Sequence, residues 1–239
     1  ELLDGTIDMA VHSMKDMPGE LPKGLKLSSA PLREDYRDVF VFRKGINSLD
    51  ELPKGAKIGT GSKRRKYQIL DYRSDLNIVP IRGNVETRIK KIETENLDGV
   101  ILAAAGIKRL GLKLENRIFY IDKKIMLPSP SQGILAIEIR EDDERMDNLL
   151  LGLSHRETEI QGTVERAFLK GVGGNCNLPV GAYCQVLGDR VILDGLLGSE
   201  EGDILIRKSI EEDIDSYRET GGKLAEIIME EMTLIRLKP

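Results

Sequence analysis

The stretch KIGTGSKRRKYQILDY at residues 57–72 decides the fold class, because it reads as a short strand, a glycine-rich turn and a helix in that order. Two further units of the same kind follow at 78–93 and 99–112, and in the second unit apolar residues recur at helical spacing. Alternating strands and helices predict a mainly parallel sheet with helices on its faces. The sequence therefore indicates an α/β protein.

Segments that contain proline interrupt this pattern on both sides. They lie at 31–35 and 127–130, and we interpret both as hinges between domains. A strand-like run at 134–139 follows, and then helical residues at 143–170. Three strand-like runs and a final helix, at 182–187, 191–197, 204–209 and 217–232, predict a small α+β domain at the end of the chain.

Charge is distributed unevenly along the chain. The 239 residues carry a net charge of −4, yet the segment from Lys54 to Lys91 holds eleven basic and three acidic residues, a local net charge of +8. Basic residues follow the predicted strand ends of all three units: Arg64 and Arg65, Arg82 and Arg88, Lys108 and Arg109. Ligands bind at that edge of open α/β sheets, and arginine suits carboxylates, so this recurrence favours an anion site over a merely solvated face.

Several classes of protein are excluded or disfavoured. No run approaches the ~18 consecutive apolar residues of a membrane span. Net acidity and ten aromatic residues argue against nucleic-acid binding. His12 and His155 lack neighbours at metal-ligand spacing, so we expect no metal. The turn GTGS at 59–62 matches neither a dinucleotide fingerprint nor a P-loop. Two cysteines without a disulfide framework indicate a reducing compartment.

Two residues in predicted loops are candidates for chemistry. Asp16 follows a short apolar strand and is either a carboxylate in a cleft or an ordinary turn residue. Cys176 lies in the glycine-bracketed segment GGNCNLPVG at 173–181, which favours covalent modification. Cys184 begins a predicted strand, and we expect it in the core.

Five motifs in a fixed order make the chain resemble the porphobilinogen deaminase family, also called hydroxymethylbilane synthase. The motifs are HSMKD at 12–16, GTGSKRR at 59–65, IRGNVETR at 81–88, AGIKRLG at 105–111 and GNCNLPVG at 174–181. The resemblance implies an α/β fold with two periplasmic-binding-protein-like lobes around a cleft, plus a small α+β C-terminal domain. The implied domains are a discontinuous first at 1–31 and 131–150, a second at 36–126 and a third at 153–239.

The resemblance also implies a reaction. Four porphobilinogen molecules are joined head to tail, with loss of ammonia at each step, and released as hydroxymethylbilane for tetrapyrrole biosynthesis. The primer is a dipyrromethane cofactor held by a thioether to Cys176. Asp16 is the implied catalytic residue, which stabilises the cationic azafulvene left by ammonia. We expect a monomeric, cytoplasmic enzyme with porphobilinogen as its substrate and with no nucleic-acid or membrane partner.

Binding residues are carried over by position from the same motifs. Those around the cofactor are Ser13, Lys15, Ser62, Arg64, Arg65 and Arg88. Those that receive substrate carboxylates are Arg82, Asn84, Arg88 and Arg109. Each pyrrole ring carries an acetate and a propionate, and a charge-assisted bond contributes about 1.5 to 3 kcal/mol, so several arginines can hold a growing polyanion.

Three features depart from the family pattern. Asn175 lengthens the cysteine loop by one residue, and Ser131-Gln132-Gly133 stands where Gly-Gln-Gly is usual. The family's first strand, with its Gly-Thr-Arg motif, has no counterpart before Glu1, so we expect full activity to require an upstream segment. The alternative function is a non-enzymatic two-lobed module for a small anionic ligand, which would not need Cys176.

Overall fold

The computed structural model describes residues 1–18, 21–46, 48–114, 117–174 and 178–237 as three sheets with helices packed against them. The strands are β1 (Ala10–Ser13), β2 (Leu25–Leu27), β3 (Asp38–Phe42), β4 (Lys57–Gly59), β5 (Asn77–Val79), β6 (Gly99–Ala103), β7 (Ile118–Tyr120), β8 (Leu135–Arg140), β9 (Val180–Leu187), β10 (Arg190–Gly198) and β11 (Leu205–Asp213). The α-helices are α1 (Lys63–Tyr72), α2 (Val85–Thr94), α3 (Ala104–Arg109), α4 (Glu144–Leu150), α5 (Arg156–Gly171) and α6 (Tyr217–Arg236). Across these residues, no helix combines the length and the apolar character that a membrane span requires.

The first sheet joins two distant parts of the chain. Its order is β1-β8-β2, and both outer strands are antiparallel to β8. Ser13 at the end of β1 pairs with Leu135 at the start of β8. A 3-10 helix, Met14–Asp16, continues directly from β1 where the sequence predicted a polar loop. It places Lys15 and Asp16 at the edge of this sheet.

The second sheet contains the three βα units, and its order is β5-β4-β6-β3-β7. β4 is parallel to β5 and β6, whereas β3 is antiparallel to β6 and β7. β7 therefore runs in the same direction as β4, β5 and β6, and within this sheet the prediction of mainly parallel strands was wrong for β3 alone. β3 precedes the first βα unit, so it belongs to no crossover that would force it to run parallel.

Helices cover both faces of the second sheet, which explains why every residue of β3 is buried. Phe40 and Phe42 pack with Ile69 of α1 on one face. Val39 and Val41 pack on the opposite face, in the cluster that contains residues of α2 and α3. A strand with both faces covered needs a continuous apolar run. Asp38 is the polar exception in β3, and its partners lie at the functional site.

The third sheet is an antiparallel meander of β9, β10 and β11. α5 and α6 pack against it and supply Val164, Phe168, Leu224 and Ile228 to its core. Cys184 of β9 is a buried free thiol in this core, as the sequence predicted, and burial raises its pKa. Cys176 falls in the connection between α5 and β9 and lies outside the described residues.

Two connections between the first and second sheets lie side by side. The backbone N–H of Glu34 on the first connection donates to the carbonyl oxygen of Gly133 on the second, at 3.1 Å. Gly133 has φ +90°, and a Cβ at this position would overlap the carbonyl oxygen of Glu34. Only glycine permits so close an approach of the two connections.

Glu165 of α5 binds both connections. Its buried carboxylate accepts two hydrogen bonds from the Arg33 guanidinium, at 2.7 and 3.1 Å. It also accepts the backbone N–H of Ser131 at 2.6 Å and that of Cys184 at 2.8 Å. One side chain thus attaches the first connection, the second connection and β9 to α5. We call this group, Arg33, Ser131, Glu165 and Cys184, the junction.

Candidate active site

A pocket of about 250 Å³ lies between the first and second sheets. Its walls come from the 3-10 helix after β1, from the segment before β8, and from the strand ends and helix starts of the second sheet. The lining residues are Ser13, Lys15, Asp16, Arg65, Val85, Arg88, Leu102, Ala103, Ala105, Gly106, Arg109, Gln132 and Gly133.

Cations dominate this pocket. Each of the three βα units contributes one arginine, Arg65 from α1, Arg88 from α2 and Arg109 from α3. Lys15 adds a fourth cation from the opposite wall, and Asp16 is the one carboxylate among the described lining residues. Such an excess of positive charge suits a ligand with several carboxylates.

Asp38 anchors the arginine of α1 from behind the pocket. Its buried carboxylate accepts from Arg65 Nη2 at 2.8 Å and Nε at 3.0 Å, and from Arg64 Nη1 at 2.6 Å. Arg64 is buried, also donates to the carbonyl oxygen of Leu127, and does not line the pocket. Burial alone would raise the pKa of the Asp38 carboxyl, but the charges of Arg64 and Arg65 hold it well below its usual range.

Lys15 lies in a less favourable environment for a charge. Burial, reinforced by the charge of Arg65, lowers the pKa of its ammonium from 10.5 to about 8, although Asp16 and Asp38 oppose the shift. Its Nζ donates to Gln132 Oε1 at 3.5 Å. The protein thus holds this cation at an energetic cost that an anionic ligand would offset.

Backbone carbonyl oxygens orient the two remaining arginines. Arg88 Nε donates to the carbonyl oxygen of Gly83 at 2.7 Å, and Arg109 Nη2 donates to that of Gly133 at 2.8 Å. Burial and the charge of Arg65 lower the pKa of Arg88. Both guanidinium groups keep further N–H donors for a ligand, because each spends only part of its five on these bonds.

The structure brings together six of the side chains that the sequence predicted: Ser13, Lys15, Asp16, Arg65, Arg88 and Arg109. Ser62 and Asn84 instead cap helices, where their side chains accept the backbone N–H groups of Arg65 and Thr87. Arg82 is exposed ahead of α2. Lys108 pairs with Glu34 and Asp35. The predicted attachment residue, Cys176, is outside the described residues.

Sequence reasoning missed two buried polar residues at this site, Asp38 and Gln132. Asp38 stands at the head of the apolar run DVFVF, and a carboxylate that begins a wholly buried strand is a signal for a nearby cation. Gln132 stands out in the sequence only as part of an altered glycine motif, and nothing in the sequence indicates its partners.

Both histidines have partners within the fold. His12 Nε2 lies 3.0 Å from Glu138 Oε2 across the first sheet. The side chain of His155 caps α5 by accepting the backbone N–H of Thr158.

Fold and site together define the class of protein: an α/β protein with a C-terminal α+β unit and a cation-rich pocket between two sheets. The family model of the porphobilinogen deaminase dipyromethane cofactor binding domain matches residues 1–148, and that of the porphobilinogen deaminase C-terminal domain matches residues 160–230. The chain belongs to the porphobilinogen deaminase family.

Curated relatives agree with these matches. The porphobilinogen deaminase of Clostridium novyi is 59% identical over 97% of this chain and 78% of the relative, and that of Clostridioides difficile is 52% identical over 97% and 76%. Among solved structures, a putative methionine-binding lipoprotein of Bacillus subtilis has a TM-score of 0.43 at 14% identity, over 66% of this chain and 74% of that protein.

The predicted family is therefore confirmed, and with it the fold class, the enzyme class, the substrate porphobilinogen and the dipyrromethane cofactor. The reaction of this family is the polymerisation of porphobilinogen to hydroxymethylbilane in tetrapyrrole biosynthesis.

Proposed function

We propose that Asp16 and the cations around it carry out this polymerisation in the pocket between the two sheets. The observation that carries the proposal is the convergence of Lys15, Arg65, Arg88 and Arg109 on a single exposed carboxylate, although these residues come from distant parts of the sequence. A solvated basic face would not require arginines from three successive units to share one pocket.

The donor set of the pocket fits dipyrromethane, whose two rings carry an acetate and a propionate each. Ser13, Lys15, Arg65 and Arg88 would hold these carboxylates, and the thioether would form at Cys176. When bound, the cofactor supplies the pyrrole α-carbon to which the first substrate unit is joined. The low pKa of Lys15 supports this fit, because carboxylates beside the ammonium would stabilise its charged form.

Arg109 would receive a carboxylate of the incoming porphobilinogen. It lies on the wall opposite Asp16 and retains free donors beside its bond to Gly133. Loss of ammonia from the aminomethyl group leaves a cationic azafulvene, and the Asp16 carboxylate would stabilise this positive charge as it forms. Asp16 would also accept the pyrrole N–H. Ser62, Arg64, Arg82 and Asn84 do not line the pocket, so their assignment to cofactor or substrate stays a prediction.

We propose the same domain division as the sequence indicated, with 1–31 and 131–150 forming one domain, 36–126 a second and 153–239 a third. The pairing of β1 with β8 supports the discontinuous first domain. We also propose a monomeric, cytoplasmic enzyme without a nucleic-acid partner, and the net charge of −4 supports the last of these points. Light scattering tests the monomeric state, and a titration with DNA at low salt tests for nucleic-acid binding.

The variant Asp16→Asn tests the catalytic role. It removes the charge with little change of shape, so we expect turnover to fall by roughly a hundredfold or more while the free energy of unfolding stays within about 0.5 kcal/mol of wild type. Asp142→Asn is the matched control, since Asp142 is an exposed aspartate in the turn after β8. Near-normal turnover of Asp16→Asn would contradict the proposal.

Intact mass measurement tests the attachment site. The enzyme is expected to carry the mass of two condensed porphobilinogen units on the peptide that contains Cys176, and Cys176→Ser is expected to carry none. A binding module without enzymatic activity would show no such mass after incubation with porphobilinogen, and its ligand affinity would survive Cys176→Ser.

A further inference from the structure

Gln132 is a completely buried amide in the wall of the pocket, on the second connection between the sheets. Its Nε2 donates to the carbonyl oxygen of Tyr36 at 2.8 Å, to Asp38 Oδ1 at 3.1 Å and, more distantly, to the carbonyl oxygen of Arg37 at 3.4 Å. Its Oε1 accepts from Lys15 Nζ at 3.5 Å. Both polar atoms of the Gln132 amide, Nε2 and Oε1, therefore form hydrogen bonds.

The orientation of this amide is fixed by chemistry. Tyr36 and Asp38 present only acceptor oxygens to it, so the NH₂ group has to face them. The remaining oxygen then faces the Lys15 ammonium, which can only donate. A flipped amide would set oxygen against oxygen on one side and NH₂ against ammonium on the other.

Glutamine meets both demands where other residues fail. Glutamate at this position would bring a second negative charge to the buried Asp38 carboxylate. Methionine has a similar shape but would leave Lys15 and one site on Asp38 without this partner. A lysine or arginine would offer no acceptor to the Lys15 ammonium.

We propose that Gln132 is a positioning residue for the polymerisation, which holds Lys15 on one wall of the pocket at a fixed distance from the Asp38–Arg65 pair on the other. Asp38 orients Arg65 through two hydrogen bonds, so the amide connects cations from both walls. Arg33 Nε donates to the backbone carbonyl oxygen of Gln132 at 3.0 Å and ties this residue to the junction. The inference rests on the pocket assignments proposed above, because it concerns how Lys15 and Arg65 are held for the same reaction.

The test replaces Gln132 by methionine in the full-length enzyme, with Gln161→Met as the matched control. Gln161 is likewise a buried glutamine, but it hydrogen-bonds Arg33 and Glu157 and does not line the pocket. Well below the unfolding temperature, we expect kcat of Gln132→Met to fall by roughly tenfold to a hundredfold with KM within about threefold of wild type. Gln161→Met is expected to keep both parameters.

A second readout does not depend on turnover. Apoenzyme incubated with porphobilinogen should gain the cofactor mass more slowly in Gln132→Met than in Gln161→Met. A double-mutant cycle with Lys15→Met should be non-additive, and the double variant should be at least about threefold more active than the two single effects predict together. A wild-type kcat and a wild-type rate of mass gain, or fully additive effects, would overturn the role of Gln132.

A second variant and the single Lys15 variant separate the role of Gln132 from the existence of the site. If Gln132→Met shows no cooperative unfolding, the test is repeated with Gln132→Asn, which keeps an amide in the core but is one methylene too short to reach Lys15. A wild-type kcat in that variant overturns the proposal. Unchanged turnover of Lys15→Met would contradict the site itself. Impaired Lys15→Met beside unimpaired Gln132→Met would contradict the role of Gln132 alone.

Discussion

The pocket and the junction both gather charged side chains, but they balance them differently. At the junction, Arg33 and Glu165 form a buried pair in which the carboxylate accepts four hydrogen bonds. In the pocket, four cations face one exposed carboxylate, and one of the cations has a strongly lowered pKa. The paired charges of the junction hold parts of the fold together, whereas the excess of positive charge in the pocket is available to an anionic ligand. The sign of a stability change should therefore differ between the two regions.

The largest effect is expected where the balance is broken. Glu165→Gln leaves the Arg33 guanidinium buried without a counter-charge, so we expect the free energy of unfolding to fall by about 3 to 5 kcal/mol. Urea denaturation measures this loss. Glu159→Gln on the same helix is the control, with an expected change below about 0.5 kcal/mol. A loss below about 1 kcal/mol for Glu165→Gln would show that the junction does not depend on its charge.

In the pocket, we expect a substitution that removes a charge to raise the free energy of unfolding rather than to lower it. The pKa of Lys15 is lowered from 10.5 to about 8, so its protonated form destabilises the fold by roughly 3 kcal/mol at neutral pH. Lys15→Met removes this cost but leaves Gln132 Oε1 without a donor, so we expect a net gain of about 2 kcal/mol. Thermal unfolding should be compared in a Cys176→Ser background, in which no pyrrole is attached.

The dependence of this stability gain on pH shows whether the charge of Lys15 causes it. Between pH 8 and 10.5 the unfolded chain binds more protons at Lys15 than the folded protein does, so the stability of the parent protein should rise with pH. Lys15→Met should lack this rise, and its advantage should disappear above pH 10.5. A constant advantage across that window would mean that the charge of Lys15 is not its source.

The smallest effect concerns strain at the junction. Ser131 has φ +63°, and within the described residues its buried Oγ has no hydrogen-bond partner. Ser131→Gly should relieve both penalties, but it adds freedom to the unfolded chain, so we expect a net gain of about 1 kcal/mol in urea denaturation. Ser131→Ala removes only the hydroxyl and separates the two contributions. A Ser131→Gly protein less stable than wild type would contradict this account.

Local patterns predicted most of the second sheet. β4 and α1 lie inside the unit predicted at 57–72, and β6 and α3 lie inside the unit predicted at 99–112, because a strand, a turn and a helix in this order show in the local sequence. β2 and β7 escaped prediction because, unlike the equally short β4 and β5, neither is the strand of a strand-turn-helix unit, and three residues are too few to show a period by themselves.

The positive charge of the site was predictable, but which arginine reaches the pocket and which stays behind its wall was not. Arg64 and Arg65 are neighbours in the sequence, and only the position of Asp38 reveals that Arg64 stays behind the wall while Arg65 reaches the pocket. Gln132 lies more than 90 residues from the Asp38 that it contacts. Contacts over such a separation depend on how the two sheets are joined, which no local pattern records.

The paired connections also limit how the two sheets can move. Twisting one sheet against the other would shear the hydrogen bond between Glu34 and Gly133, whereas bending about an axis across both connections leaves that bond intact. The bulk that any side chain would add at Gly133 is excluded, so the two connections act as one ribbon. These contacts therefore resist twisting of one sheet against the other more than bending, which keeps the wall with Asp16 in register with the wall that bears the arginines.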